Sequence, residues 1–89
     1  MKEKEYFLTL GFVKISPYRI KTLQSIGKTL KMPSEIAREN DFKTSQVSSA
    51  LSDLKKKKLV YCINDEIKKG RLYKCTELGL KILDELNNI

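Results

Sequence analysis

Along most of this chain apolar residues recur at helical spacing, and near residue 60 the rhythm changes to that of two short strands. From Ser16-Pro17 onward, Ile20, Leu23, Ile26 and Leu30 follow one another at intervals of three or four, with Arg19, Lys21, Gln24 and Lys28 between them. Serine followed by proline is a strong helix start. The hydroxyl accepts from a backbone N–H that has no intrahelical partner, and proline has no N–H to leave unbonded. Gly27 weakens the last turn and suits a helix end. Upstream, Tyr6, Phe7, Leu8, Leu10, Phe12, Val13 and Ile15 are too dense to be left in water. They fit either a helix over residues 3–13 or an extended arm, because Gly11 and the β-branched Val13 and Ile15 oppose helix.

A second unit opens at Met32-Pro33-Ser34-Glu35, with proline at the first helical position and a carboxylate near the positive helix end. Met32 is a poor cap. The helix is short, since Asn40 and Asp41 tolerate left-handed backbone and suit a tight interhelical turn, with Phe42 as its apolar anchor. The next helix runs from Thr44 to about Lys57. Val47, Ala50, Leu51 and Leu54 share one face; Ser45, Gln46, Ser49, Ser52 and Lys56 share the other. Beyond Lys55–Lys58, the runs Leu59–Ile63 and Leu72–Cys75 read as strands around a long, mobile polar loop, Asn64–Arg71. Thr76 then caps a closing helix with a stripe of Leu78, Ile82, Leu83, Leu86 and Ile89. The expected architecture is mainly α with a small β-hairpin in one domain. Residues 1–15 form a terminal helix or arm, 16–57 a three-helix core, 58–76 the hairpin and 77–89 the last helix.

Charge sharpens this picture. The 89 residues carry a net charge of +7, unevenly distributed: residues 43–74 hold nine basic and three acidic side chains. A basic segment inside a folded domain is the footprint of a polyanion binder, although a lysine-rich solubilising surface gives the same count. Other classes find little support. No apolar run approaches the ~20 residues of a membrane span, and Met1–Glu5 does not resemble a signal peptide. The expected compartment is the cytoplasm. With no histidine and two cysteines, neither a zinc site nor a disulfide scaffold is expected. Lacking a histidine base, a glycine-rich phosphate loop or a serine elbow, the chain is not expected to be an enzyme or to hold a cofactor. So short a chain also leaves little room for a small-molecule ligand once its core is filled.

The serines of the Thr44–Lys57 helix bear on function. Ser45, Ser48, Ser49 and Ser52 are weak helix formers at positions where glutamate or lysine would be better. Small hydroxyls permit close approach and hydrogen bonding to phosphates or base edges; the plain alternative is that they only fill space.

The segments "PSEIAREN", "SQVSSALSDLKKKKLV" and "KGRLYKCTELG", in this order and spacing, resemble archaeal winged helix-turn-helix transcriptional regulators related to the MarR and ArsR groups. The resemblance extends from Tyr6 to Leu86. It implies sequence-specific binding of double-stranded DNA, with Thr44–Lys56 as the base-reading helix and Asn64–Arg71 as the wing. Expected DNA contacts are Lys43, Thr44, Ser45, Gln46, Ser48, Ser49, Ser52 and Lys56 from the helix, and Lys68, Lys69 and Arg71 from the wing. Gln46 is the best discriminator, because glutamine pairs bidentately with adenine. The chain departs from the family at Asn40 and Asp41 (often leucine and glycine), at Lys43 (usually a serine or threonine cap) and at Ser49 (frequently arginine).

The apolar surplus of both terminal segments predicts a homodimer that aligns two reading helices about 34 Å apart; the monomeric alternative keeps both segments in the chain's own core. Two competing readings remain: an interaction module docking a larger partner through its N-terminal segment, and binding of structured RNA. Cys62 and Cys75 fall on the two strands; one register would set them opposite each other as a redox-sensitive pair, another would leave them as free, small hydrophobes.

Overall fold

The computed structural model describes residues 2–88, so Ile89, expected at the end of the closing helix's stripe, lies outside the described residues. In chain order these form α1 (Glu3–Lys14), α2 (Pro17–Ile26), α3 (Pro33–Asn40), α4 (Thr44–Lys56), β1 (Val60–Cys62), β2 (Tyr73–Cys75) and α5 (Glu77–Asn87). The N-terminal segment is therefore a helix and not an arm. Glu3 and Glu5 in its first turn and Lys14 in its last complement the helix dipole. It buries Thr9, Leu10 and Val13, while Phe7, Leu8 and Ile15 stay exposed. The expectation that all these apolar residues leave water thus fails within one chain, because a helix turns only one stripe toward a core.

Local chemistry accounts for the helix ends. The Ser16 hydroxyl accepts from the Arg19 N–H at 3.3 Å, and α2 stops at Gly27, whose φ of 49° lies in the region that favours glycine. Leu30, expected to extend the α2 stripe, lies beyond that stop and is exposed. Met32 makes no side-chain cap for α3; instead the Glu35 carboxylate accepts from the Met32 N–H at 2.8 Å. The helix ends at Asp41 in left-handed geometry (φ 57°), as the Asn40-Asp41 pair suggests. Val47, Leu51 and Leu54 of α4 are buried in one cluster with Leu23, Ile26 and Ile36, and Ala50 is buried beside them in sequence. Each fully buried side chain of this kind contributes roughly 1.5–3 kcal/mol. Arg19 joins three helices: it donates to the Phe12 carbonyl at the end of α1 (2.6 Å) and to Asp53 of α4 (3.1 and 3.3 Å), and its guanidinium lies 3.7 Å over the Phe12 ring.

The strands pair antiparallel as Val60↔Cys75, Tyr61↔Lys74 and Cys62↔Tyr73. A bridge from Lys31 to Tyr73, closed by bonds of 3.1 and 2.9 Å, adds a third strand position. A single bridging residue has no periodicity, so nothing in the sequence pattern announces it. The register also corrects the cysteine pairing. Cys62 faces Tyr73 and Cys75 faces Val60, which leaves the two cysteines diagonal. Diagonal neighbours lie about 7–8 Å apart, beyond what a disulfide spans without backbone movement. Both are buried free thiols. The closing helix docks tightly: the Thr76 hydroxyl accepts from the Gly79 N–H (3.0 Å) and donates to the Lys58 carbonyl (2.6 Å). A Cβ on Gly79 would fall 2.0 Å from the Leu59 carbonyl oxygen, so only glycine permits this approach of α5 to the residue before β1.

Candidate nucleic-acid interface

The buried face of α4 fixes which side chains it turns outward. Lys43, Thr44, Ser45, Ser48, Ser49, Ser52, Lys55 and Lys56 are all exposed, at the spacing of one continuous face. Asp53 is the sole acidic residue between 43 and 58, and it is partly buried and paired with Arg19. The outward face is therefore a run of small hydroxyls flanked by lysines, with no unpaired negative charge. Such a surface can approach a polyanion closely, and desolvating neutral hydroxyls costs little when they gain new hydrogen bonds.

Gln46 behaves differently from its neighbours. It is half-buried, and both ends of its amide are engaged. The oxygen accepts from the Lys43 N–H at 2.9 Å, and the nitrogen donates to the Tyr18 hydroxyl at 3.0 Å. Lys43 offers no side-chain cap to the first turn, so Gln46 reaches back and satisfies a backbone donor there. Tyr18, in the first turn of α2, packs edge-to-face on Phe42, with ring centroids 4.9 Å apart. Its part in the site was not legible from sequence: 28 positions separate it from Gln46, and no local pattern links them.

The loop between the strands, expected to be a mobile tip, is knitted by its own side chains. Asn64 Oδ1 accepts from the Leu72 N–H (2.9 Å) and the Cys62 thiol (3.3 Å), while its Nδ2 donates to the Gly70 carbonyl (3.2 Å). Arg71 donates through Nε to the Ile67 carbonyl (2.6 Å) and through Nη2 to the Asp65 carbonyl (3.2 Å). Lys55 reaches Asp65 at 3.4 Å and ties the loop to α4. Arg71, expected on DNA, is thus partly buried and committed to loop carbonyls, whereas Lys68 and Lys69 are exposed. Burial pushes the Cys75 thiol up to about 11, so it stays neutral and unreactive near pH 7.

No protein-family model matches the chain, and neither does any curated protein. Solved structures do. A variant of ZitR from Lactococcus lactis superposes with a TM-score of 0.73 at 16% identity, over 82% of this chain and 51% of its own. MepR of S. aureus, in complex with DNA, gives 0.71 at 21% identity, over 97% of this chain and 73% of MepR. Reduced HlyU from Vibrio cholerae gives 0.69 at 14% identity, over 99% and 96% of the two chains. This chain thus spans about half the length of ZitR and nearly all of HlyU. At such identities the likeness is one of fold, and that fold is the winged helix-turn-helix, mainly α with a small hairpin. Among the described residues no helix is long and apolar enough to cross a membrane.

Proposed function

We propose that the chain is a sequence-specific regulator of transcription that binds double-stranded DNA, with α4 in the major groove. The observation that carries this reading is the exposed α4 face, all hydroxyl and lysine, with its single acidic residue paired away. The same fold in MepR, whose structure holds DNA, supports it. In this reading Thr44, Ser45, Ser48, Ser49 and Ser52 approach base edges and sugar-phosphate, Gln46 pairs with adenine, and Lys43 and Lys56 neutralise phosphates. Lys68 and Lys69 carry the charge of the wing to the backbone or minor groove, and Arg71 holds the wing in shape.

The exposed apolar residues of α1 and its C-cap favour self-association. Leu8 is 66% and Ile15 78% exposed, whereas Ile82 and Leu83 of α5 are consumed by the chain's own core. We therefore place the homodimer contact on α1. A gel-shift series with random duplex DNA, structured RNA and heparin tests the functional reading. Retardation of duplex at concentrations that leave RNA and heparin free is expected. Equal binding of all three would reduce the reading to non-specific charge, and no binding would favour an interaction module.

A further inference from the structure

We infer that Tyr18 is a positioning residue that holds Gln46 off the DNA, using the donor and acceptor that adenine would offer. This rests on the DNA-binding reading above. In the major groove adenine presents the N7 acceptor and the N6 donor, and glutamine meets them with its amide nitrogen and oxygen respectively. In the free chain the Tyr18 oxygen stands where N7 would, taking a hydrogen bond from Gln46 Nε2 at 3.0 Å. The Lys43 N–H stands where N6 would, donating to Gln46 Oε1 at 2.9 Å. Gln46 is accordingly retracted and half-buried, while Ser45, Ser48, Ser49 and Ser52 on the same face are exposed.

Tyr18 is well held for this task. Its ring rests edge-to-face on Phe42, and the neighbouring Arg19 is anchored to both Phe12 and Asp53. Both bonds to Gln46 are neutral and exposed, so adenine can exchange for them at small cost. Other bases, lacking that donor–acceptor pair, leave Gln46 in place, and discrimination against them is built into the free state.

The test is a double-mutant cycle on the full chain with Tyr18→Phe, Gln46→Ala and the pair, read by fluorescence anisotropy. The probe is a duplex selected from a randomised library by the unmodified chain. Tyr18→Phe keeps the ring on Phe42 and deletes only the acceptor. It is expected to bind the selected duplex about five-fold more tightly. The gain should vanish in the Gln46→Ala background and on duplexes altered at the base pair that Gln46→Ala ceases to discriminate. Exchange of the Lys43 amide in the free protein should quicken several-fold in Tyr18→Phe. Unchanged or weaker binding by Tyr18→Phe, a gain that survives Gln46→Ala, or unchanged Lys43 exchange would each overturn the inference and leave the DNA-binding reading intact. If the unmodified chain selected no duplex, that reading would fall first and Tyr18 with it.

Discussion

The exposed face of α4 and the wing are both basic, yet they commit their side chains in opposite ways. On α4 the core holds the backbone, through Val47, Leu51 and Leu54, so the outward side chains are free apart from Gln46 and from Lys55, which pairs with Asp65. The wing has no core of its own. Asn64 and Arg71 therefore bind carbonyls and amides of the loop, leaving Lys68 and Lys69 outward. A basic residue in a loop is not automatically an available charge; where packing is absent, polar side chains supply the shape.

Substitution where the hairpin joins the core should disturb the molecule most. Gly79→Ala drives a methyl group against the Leu59 carbonyl, at backbone that cannot yield without moving β1. Overpacking of this kind costs about 3 kcal/mol or more, and thermal unfolding should show it as a large fall in Tm. A normal melt would mean that α5 and the hairpin are not rigidly joined.

Arg71→Ala comes next. Losing hydrogen bonds from a charged donor should cost about 1 kcal/mol at this partly exposed site and quicken amide exchange at Leu72, with α4 unaffected. Lys68→Ala with Lys69→Ala makes the complementary change. Stability should hold, while the slope of log affinity against log salt flattens by about two units, roughly 0.9 for each phosphate no longer neutralised. If Arg71→Ala flattened the slope and left Leu72 exchange unchanged, the division of labour within the wing would be wrong.

At α1 and the residue that caps its C-terminus, Leu8→Glu with Ile15→Glu should convert a dimer to a monomer by sedimentation without lowering the unfolding temperature, since both side chains are exposed in the single chain. The smallest effect separates folding from DNA binding on α4 itself. Ser48→Ala and Ser49→Ala should each raise stability by up to about 0.5 kcal/mol, because alanine is the better helix former, while weakening duplex binding. Unchanged binding with raised stability would leave those serines as space fillers.

The elements were legible wherever a local signal exists. Ser16-Pro17, Gly27, the Asn40-Asp41 turn and the apolar stripe of α4 each announce their structure through nearest-neighbour chemistry. What stayed hidden depends on atoms distant in the chain. The Lys31–Tyr73 bridge, the Arg19–Asp53 joint and the Tyr18–Gln46 bond link residues 28 or more positions apart and leave no periodicity. The strand register was not legible either, because two three-residue strands are too short to carry a pattern that tells one pairing from the next. Within the candidate site, which residues are exposed was largely readable; that Gln46 and Arg71 are already engaged was not.

A backbone amide NMR titration of the free chain with the selected duplex shows directly which element meets the DNA. If α4 is the reading element, shifts concentrate at Thr44, Ser45, Ser48, Ser49 and Ser52, with a second, smaller group at Lys68 and Lys69. Shifts confined to α1, or absent from α4 while the wing responds, would contradict it.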